Sequence, residues 1–476
     1  MSDAIRFRLN GRDLEVRGAD PNTTLLNWLR GAGLTGSKEG CAEGECGACA
    51  VAFVTTAPDG RTRYEAVNGC LVLLGSTHGR ELVSVEGIAE GGTLHPVQRE
   101  MADGGGSQCG YCTPGFVVSL FAEFHRNDEG PLDEESIAGN LCRCTGYRPI
   151  RDAAQRLSQL RARRDGDSVH ARRLAAPAPS DSPLSLSGAR RFHRPTTLAD
   201  ALAILAREPD LTIVSGGTDV VVEINQRHAR FDGILALDAI EELRAIRETA
   251  DYVEIGAGLS LASVEERLHG RVPMLDQLWP LFSSRLIRSR ATLGGNLGTA
   301  SPIGDSPPAL LALGAEIVVA TAGGDRVVPI DQYFLGYRKT ALAKGELVRA
   351  VRVPRALPRV QRFYKVSKRR MDDISTVAAA FALEIDPAGI VQSARLAYGG
   401  VAATPIRARA AEQALIGQRL DRASVTAARD AAMAELAPID DHRGSARYRK
   451  AMIGTLLEKL LADESGAAAS LSPGAT

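Results

Sequence analysis

Eight cysteines constrain this chain more than any other feature, because they fall into two sets of four within its first third. The first set is Cys41, Cys46, Cys49 and Cys70, and the second set is Cys109, Cys112, Cys142 and Cys144. Closely spaced thiols are typical of metal centres in a reducing compartment, where disulfides are rare. The pattern therefore predicts two metal centres and a cytoplasmic protein.

The first set has the spacing C-x4-C-x2-C with a distant fourth cysteine, which is the plant-type spacing of [2Fe–2S] ligands. Gly36, Gly40, Gly44 and Gly47 are interleaved with these cysteines. Glycine permits a tight loop whose N–H groups point at cluster sulfurs. A zinc site and a chance spacing are the alternatives, and the glycines favour the iron–sulfur interpretation.

The second set consists of two close pairs, C-x2-C and C-x-C, and is less specific. Taken alone, it fits zinc as well as iron–sulfur, and its first pair could be a redox dithiol. Both pairs precede predicted helices that begin near Pro114 and Pro149, where helix N-termini stabilise negative charge. Beside a ferredoxin-type loop, we interpret this set as the ligands of a second [2Fe–2S] cluster.

The 476 residues predict a multidomain α+β protein of about three or more domains. Periodicity and composition predict the following segments: a small α+β unit at 1–88, four short helices (95–103, 114–126, 133–140 and 149–163) within 89–164, a Pro/Ser-rich linker at 165–190 that buries no core, α+β domains at 191–358 and 359–465, and a disordered tail at 466–476.

Charge and hydropathy exclude several classes of protein. Lys+Arg and Asp+Glu both number 57, so nothing electrostatic favours a nucleic acid partner. No run approaches the ~18 apolar residues of a membrane span, and the N-terminus lacks the apolar segment of a signal peptide. We therefore expect no nucleic acid and no membrane as partners.

Three glycine motifs lie in the second half of the chain. Residues 255–261 resemble the glycine motif of dinucleotide-binding proteins. Leu261 occupies the third glycine position of that motif, so we interpret these residues as a turn. Residues 214–219 follow a predicted strand, and Gly216-Gly217 could present N–H groups to a pyrophosphate. Residues 293–296 form a second such loop, and for both loops a plain turn is the simpler interpretation of the residues alone.

Three cysteine motifs, at 40–49, 108–115 and 140–150, resemble those of the molybdenum hydroxylases, which include xanthine dehydrogenases and aldehyde oxidoreductases. The resemblance extends over nearly the whole chain except the linker and the tail. It implies a β-grasp plant-type ferredoxin domain, a four-helix [2Fe–2S] bundle, a non-Rossmann FAD-binding domain and a C-terminal α+β domain. In that family the second cluster lies next to the molybdopterin, and Gln108 and Cys144 match positions that touch the pterin.

The resemblance also implies residues for the flavin and for NAD. The matching FAD-binding positions are Ile213, Val214, Ser215, Gly216, Gly217, Thr218, Asp219, Val220, Thr292, Leu293, Gly294, Gly295, Asn296, Asp305, Leu347 and Lys365. Phe282 matches an aromatic that stacks near the flavin ring, Tyr337 matches a residue on the nicotinamide side, and Asp372 lies in a charged loop that governs access of NAD. Without the resemblance, Phe282 would be a core residue and the charged loop a solvated face.

The function implied is electron transfer within a xanthine dehydrogenase. Xanthine or hypoxanthine would be hydroxylated on a molybdopterin-binding large subunit, in a heterotetramer of two of each chain. Electrons would pass through the second-set cluster, the first-set cluster and FAD to NAD. The alternatives are the reductive subunit of another molybdenum hydroxylase acting on aldehydes or N-heterocycles, a free-standing NADH diaphorase, and a structural zinc protein.

Overall fold

The computed structural model describes residues 3–126, 130–161 and 168–466. The chain forms two compact units. The first comprises Met1–Arg244, Gly258–Arg267 and Ser283–Gly295, and the second comprises Ala245–Ala257, Leu268–Phe282 and Asn296–Thr476. Across the described ranges, no helix is both long and apolar enough to cross a membrane. The predicted disordered tail lies outside the described residues, apart from residue 466.

The first unit begins with a five-stranded sheet and one helix. Its elements are β1 (Ile5–Leu9), β2 (Arg12–Val16), α1 (Leu25–Gly31), β3 (Ala50–Thr56), β4 (Thr62–Asn68) and β5 (Glu81–Val83). The strand order is β2-β1-β5-β3-β4, with β1 antiparallel to β2 and parallel to β5. Asn10 and Gly11 have the positive φ values, 52° and 77°, that a type I′ hairpin turn requires. The predicted β-grasp ferredoxin fold is confirmed.

Short helices follow the sheet. They are α2 (Pro96–Asp103), α3 (Thr113–Phe124) and α4 (Arg148–Arg161), with a 3₁₀ turn at Glu134–Ile137. The helix predicted at 133–140 is therefore only this 3₁₀ turn, although Asp133 does cap it by accepting the N–H of Glu135 at 2.9 Å. The bundle is thus present with a 3₁₀ turn as its third member, and residues 162 and 163 of the last predicted helix lie outside the described residues.

The predicted linker at 165–190 contains structure, and the expectation that it buries no core is wrong. It includes α5 (Val169–Ala175) and β6 (Leu184–Leu186). His170 is buried, where its Nε2 lies 3.0 Å from the carbonyl of Ile88 and its Nδ1 lies 3.1 Å from the hydroxyl of Tyr64. Composition did not reveal this packing, because long-range partners hold the segment in place.

A small sheet follows within the first unit. Its elements are β6, β7 (Arg191–Arg194), α6 (Leu198–Arg207), β8 (Thr212–Val214), α7 (Val220–Gln226) and β9 (Gly233–Ala236). The strand order is β6-β7-β9-β8, and β7 and β8 run parallel to β9. Phe192 of β7 and Val214 of β8 belong to the same hydrophobic core as Leu71 and Leu73 of the ferredoxin part. The two parts therefore pack as one body.

Residues 245–357 supply a five-stranded antiparallel sheet to the second unit and several short helices. The elements are β10 (Ile246–Glu248), β11 (Tyr252–Gly256), α8 (Leu261–Leu268), α9 (Pro273–Leu278), α10 (Arg285–Arg288), α11 (Leu293–Thr299), α12 (Ser306–Leu313), β12 (Glu316–Thr321), β13 (Gly324–Pro329), β14 (Phe334–Gly336), β15 (Lys339–Thr340) and β16 (Leu347–Pro354). The sheet order is β10-β11-β16-β12-β13, and β14 and β15 form a separate hairpin.

The C-terminal part of the second unit is a four-stranded sheet that packs on three helices. Its elements are β17 (Val360–Val366), β18 (Val377–Ile385), β19 (Val391–Gly399), β20 (Ile406–Arg407), α13 (Arg409–Leu415), α14 (Arg422–Glu435) and α15 (Ala446–Glu464). Phe381 and Tyr398 on the sheet share a core with Leu457 of α15. The predicted C-terminal α+β domain is confirmed, whereas the predicted domain boundaries stay a prediction.

Candidate metal centres and flavin loops

The thiols of the first set lie in two pairs. The Cys46 thiol interacts as a donor with the sulfur of Cys41, and the Cys70 thiol interacts as a donor with the sulfur of Cys49. The Cys46 donor, together with the N–H groups of Glu43, Cys46 and Glu45, lowers the pKa of Cys41 to about 5. The pKa of Cys46 is raised by the same hydrogen bond. The loop thus already stabilises a thiolate.

The backbone around the first set wraps tightly. Gly44 and Gly47 have φ values of +89° and +67°, which favour glycine. A Cβ on Gly40 would lie 2.8 Å from the sulfur of Cys46. The carboxamide of Asn68 donates to the carbonyl of Gly44 at 2.7 Å and so closes the loop from the other side. Of the predicted glycines, Gly40 is therefore placed where a side chain would crowd a thiol, whereas a Cβ on Gly44 or Gly47 would meet neighbouring segments that pack on the loop.

The second set lies where two helices begin. Cys112 is the N-cap residue of α3, and Cys142 and Cys144 precede α4. Cys109 is paired with Cys144, and Cys112 with Cys142. Burial raises the pKa of Cys142, but hydrogen bonds from the hydroxyl and the N–H of Thr145 lower it more. The segment around the second set therefore also stabilises a thiolate.

Both sets fit a [2Fe–2S] cluster. Such a cluster takes four cysteine thiolates, two on each of its irons. Within each set the thiols act on one another's pKa, and in each set these interactions include two thiol pairs, as that arrangement requires. In the part of the chain that the structure describes, no group of three or more His, Cys, Asp or Glu side chains is arranged to hold a single metal ion. We infer from the two-and-two pairing that each set would hold one [2Fe–2S] cluster.

The two sets are in direct backbone contact. The N–H of Leu141, which precedes the Cys142 ligand, donates to the carbonyl of Cys46 at 3.0 Å. The carboxamide of Asn140 donates to the carbonyl of Gly47 at 3.3 Å. A Cβ on Gly115, at the start of α3, would lie 2.2 Å from that same carbonyl. The ligand loops of the two sets are therefore immediate neighbours.

The two glycine loops predicted to bind the flavin come together in the first unit. A Cβ on Gly216 would lie 1.9 Å from the carbonyl of Arg290, so the backbone of one loop passes directly over the other. The hydroxyl of Thr292 donates to that of Ser215 at 3.2 Å and accepts the N–H of Gly295 at 2.9 Å. Two backbones this close, with hydroxyls and N–H groups beside them, fit the phosphate-binding role that the resemblance implies.

The remaining loop residues occupy ordinary positions along the elements. Ile213 and Val214 end β8, Thr218 and Asp219 connect it to α7, Val220 begins α7, and Leu293, Gly294 and Asn296 lie in α11. Gly217 has a φ of +83°, and a Cβ there would lie 2.9 Å from the carbonyl of Leu71, next to the Cys70 ligand. The predicted flavin loop is therefore also a neighbour of the first set.

Other predicted flavin and NAD residues lie in the second unit. Lys365 donates from Nζ to the carboxylate of Asp305 at 2.8 Å, and the hydroxyl of Ser375 donates to the other oxygen of that carboxylate at 2.5 Å. Lys365 also donates to the carbonyl of Leu281, next to Phe282. Because this lysine is buried and ion-paired, a structural role accounts for it without a ligand, and its role toward FAD stays a prediction.

Three more predicted residues lie at separate places in the secondary structure. Leu347 is buried at the start of β16, where it pairs with Ala320 of β12. Tyr337 lies in the turn between β14 and β15 and is 63% exposed. Asp372 is buried with a φ of +50°, so it does not lie on a solvated face as a charge run ordinarily would. The role of Leu347 toward FAD, and the roles of Tyr337 and Asp372 on the NAD side, stay predictions.

Several residues at the first set were missed in the sequence. Asn68 and Asn140 donate to carbonyls of the cysteine loop, and so do Asn225 and Gln226 of α7. Single amides far apart in sequence form no motif. Only their position next to glycine motifs or at a helix end could have drawn attention to them.

Models of four protein families match the chain in series. The matches are a 2Fe-2S iron-sulfur cluster binding domain at 7–74, a [2Fe-2S] binding domain at 84–155, an FAD binding domain in molybdopterin dehydrogenase at 187–356, and a CO dehydrogenase flavoprotein C-terminal domain at 362–463. Together with the two paired cysteine sets, they define an electron-transfer chain that carries [2Fe–2S] and FAD modules.

Whole-chain comparisons agree with these matches. A xanthine dehydrogenase from Emericella nidulans is 35% identical over 88% of this chain, and xanthine dehydrogenase 1 from Arabidopsis thaliana is 33% identical over 84%. The chain spans 35% of the length of each of these relatives.

Solved structures give the same assignment. A carbon monoxide dehydrogenase chain from Hydrogenophaga pseudoflava is 32% identical, with a TM-score of 0.54, over 56% of this chain and 94% of that one. A quinoline 2-oxidoreductase chain from Pseudomonas putida 86 is 26% identical, also with a TM-score of 0.54, over 58% of this chain and 97% of that one. The chain belongs to the molybdenum hydroxylase family and corresponds to its iron–sulfur and flavin part.

Proposed function

We propose that this chain is the iron–sulfur/FAD subunit of a xanthine dehydrogenase, working in the cytosol. In this proposal a molybdopterin-binding partner hydroxylates xanthine or hypoxanthine, and NAD is the final electron acceptor. Bound [2Fe–2S] clusters supply one-electron and bound FAD two-electron redox chemistry, which allows a relay to end on a hydride acceptor. The names of the curated relatives support the substrate and the enzyme class.

One observation supports the relay that we propose: the two cysteine sets and the predicted flavin loop at Gly217 are neighbours in the first unit. The Leu141 N–H bonds the Cys46 carbonyl, so the second set abuts the first. Gly217 of the predicted flavin loop abuts the Leu71 carbonyl, so the first set abuts that loop. The protein's part in such chemistry is to fix the distance and burial of its redox groups, and these backbone contacts do so.

The exposed surface around the second set supports a partner chain. Cys109 and Cys144 are exposed, and Tyr111, Leu141 and Tyr147 beside them are among the exposed large apolar residues. Exposed apolar groups gathered at one place mark interaction surfaces. We propose that the molybdopterin-binding partner covers this surface. Assembly as two of each chain follows from the resemblance alone.

A second candidate function is the reductive subunit of another molybdenum hydroxylase. It is favoured by the solved structures of similar fold, which are a carbon monoxide dehydrogenase and a quinoline 2-oxidoreductase. The chain's own residues bear on electron transfer and not on the substrate, because no predicted substrate-binding residue lies among them. A substrate assay with the partner must therefore decide between the two candidates.

The test uses the full chain, first alone and then with its partner. Alone, we expect iron and acid-labile sulfide in the amounts of two [2Fe–2S] clusters, oxidation of NADH by ferricyanide, and no reduction of NAD by xanthine. Addition of the molybdopterin-binding chain should give xanthine-dependent reduction of NAD. Activity with an aldehyde or an N-heterocycle but not with xanthine would favour the second candidate, and xanthine turnover by the chain alone would contradict the electron-transfer function.

A pair of glycine variants tests the flavin loops within the same experiment. A Cβ on Gly295 would approach the Thr292 hydroxyl at 3.1 Å, whereas a Cβ on Gly298, in the same helix, would meet nothing within 4 Å. Gly295→Ala should lower FAD content and NADH oxidation severalfold while both clusters remain. Gly298→Ala is the matched control and should retain its FAD. Equal FAD content in both variants would show that this loop is only a turn.

A further inference from the structure

Helix α7 joins the predicted flavin loop to the first cysteine set. It begins at Val220, directly after that loop, and its last two residues reach the cysteine loop. The carboxamide Nδ2 of Asn225 donates to the carbonyls of both Ala42 and Cys70, each at 2.9 Å. The carboxamide Nε2 of Gln226 donates to the carbonyl of Cys41 at 2.6 Å. Two amides on one helix thus hold three backbone carbonyls at or beside cysteine ligands.

The contact between Asn225 and Ala42 fixes the direction of a hydrogen bond to sulfur. In a trans peptide group, the C=O of one residue and the N–H of the next point in opposite directions. A donor that holds the Ala42 carbonyl on one side therefore aims the N–H of Glu43 to the other side. The N–H of Cys46 donates to the sulfur of Cys41 at 3.4 Å, and the N–H of Glu43, in the same loop, helps to lower the pKa of that thiol. Asn225 thereby acts on Cys41 through one peptide group.

The conformation of Ala42 shows that this peptide needs an anchor. Ala42 has a φ of +58°, in the left-handed region. An alanine there crowds its Cβ against the following carbonyl, and such residues persist only where the surroundings hold them. Asn225 is a neighbour that holds this one, because it bonds the Ala42 carbonyl directly. Without the anchor, we expect the peptide to rotate and the Glu43 N–H to leave the sulfur.

We propose that Asn225 is a positioning residue that sets the reduction potential of the cluster held by the first set. Hydrogen bonds to the sulfurs of a cluster are among the factors that fix its potential, because they stabilise the more negative reduced form. The proposal rests on the [2Fe–2S] assignment of the first set, which belongs to the proposed function. Because α7 begins at the predicted flavin loop, the residue that tunes the cluster is covalently continuous with that loop.

The experiment is a redox titration of the full chain, followed by EPR. In Asn225→Asp, an oxygen replaces the donor group and faces two carbonyl oxygens. We expect the first-set cluster to become harder to reduce. At a fixed solution potential, its ratio of oxidised to reduced form should rise about tenfold, which for a one-electron couple is about 59 mV. The second-set cluster serves as an internal reference and should keep its potential.

A second variant and a matched control complete the test. Asn225→Ser is neutral and too short to hold both carbonyls, so it decides the question if Asn225→Asp does not fold. Asn22 is the control, because its carboxamide exchanges two hydrogen bonds with the backbone of Phe231, at 2.9 and 3.0 Å, and so links similar parts of the chain. Asn22→Ser should leave the potential of the first-set cluster unchanged.

The outcomes separate this inference from the proposed function. An unchanged first-set potential in Asn225→Ser would overturn the inference, and so would an equal shift in Asn22→Ser, which would indicate general loosening. A first set that gives no iron–sulfur EPR signal in the unaltered chain would contradict the cluster assignment itself. A shift confined to the first-set cluster, and to the Asn225 variants, is the result that we expect.

Discussion

The two cysteine sets use the same number of thiols in the same pairing but differ in how the chain encloses them. In the first set, Cys49 and Cys70 are each only 2% exposed. In the second set, Cys109 and Cys144 are exposed. The first site is therefore enclosed by the chain's own residues, whereas the second lies open on one side. This difference underlies the proposal that the first site transfers electrons within the chain and that the second meets a partner.

The local chemistry of the two sets differs as well. The first is held in a glycine loop, with amides such as Asn68 and Asn225 on its carbonyls. The second lies at helix starts and is supported by short-range donors and acceptors: Thr145 bonds the sulfur of Cys142, and the hydroxyl of Tyr147 accepts the N–H of Cys142. Long-range amides make the first site depend on the rest of the unit, whereas the groups that bond Cys142 come from its own segment.

Removal of one ligand from each set gives the largest expected effect. Cys46→Ser should abolish the EPR signal of the first-set cluster, and Cys112→Ser that of the second, because serine replaces a thiolate by a poorer ligand for iron. Each variant should lose about half of the iron. EPR of the reduced protein and iron analysis measure both effects. Loss of the same signal in both variants would mean that the eight thiols do not form two independent centres.

A variant on the open side of the second set should have an intermediate effect. Leu141 is 42% exposed, and only its backbone bonds the first set. Leu141→Ser should weaken binding of the molybdopterin-binding chain about tenfold, since burial of a leucine side chain contributes roughly 1.5–3 kcal/mol. A binding titration measures this, with both EPR signals unchanged. Leu94, which is 46% exposed and is not a neighbour of any cysteine in the sequence, is the control, and equal weakening by Leu94→Ser would argue against a surface centred on the second set.

Local patterns in the sequence predicted the α+β character of the chain and singled out the eight cysteines, whereas the named fold classes came from the family resemblance and the metal-ligand assignment stays a prediction. The hairpin at Asn10-Gly11 and the spacing of the first cysteine set depend on neighbours a few residues apart, whereas the second set was assigned to iron–sulfur only because it accompanies the first. The linker at 165–190 was interpreted wrongly because His170 is held by Tyr64 and Ile88, which are far away in sequence. The flavin loops could be predicted only from the family resemblance, since glycine turns that bind no ligand have the same sequence pattern.

The amide side chains that bond the first set could not be predicted from the sequence, for the same physical reason. Asn225 acts on Ala42 across 183 residues, and an amide that bonds a carbonyl requires no particular sequence around it. Conversely, the residues near the second set lie within a few positions of its cysteines. The enclosed site is therefore the one whose supporting residues sequence reasoning could not find.

A buried histidine cluster joins the helices of the second set to the ferredoxin sheet. The Nδ1 of His95 accepts the N–H of Val97 at 3.2 Å, so its proton is on Nε2, which lies 3.1 Å from Nε2 of His125. The Nε2 of His170 donates to the carbonyl of Ile88, which leaves its Nδ1 to accept from Tyr64. These bonds require the neutral forms of His95 and His170, and a proton added to either ring would remove an acceptor.

A lower pH should therefore destabilise the region that carries the second cysteine set, through this histidine cluster. This effect is the smallest that we predict. Burial lowers the pKa of His95 from its ordinary value of 6.5 to about 3, and burial also lowers the pKa of His170. Between pH 6.5 and about pH 3, the imidazole of His95 is protonated in the unfolded chain and neutral in the folded chain. The free energy of unfolding therefore falls as the pH falls below 6.5. The loss from His95 should be on the order of 1 kcal/mol near pH 5.

His95→Asn keeps a side-chain acceptor for the cap and removes the titration. The difference in unfolding free energy between the unaltered chain and this variant should therefore narrow from pH 7 to pH 5, measured by urea unfolding. A difference that stays constant with pH would show that the histidines do not link acid to the stability of the region that carries the second set.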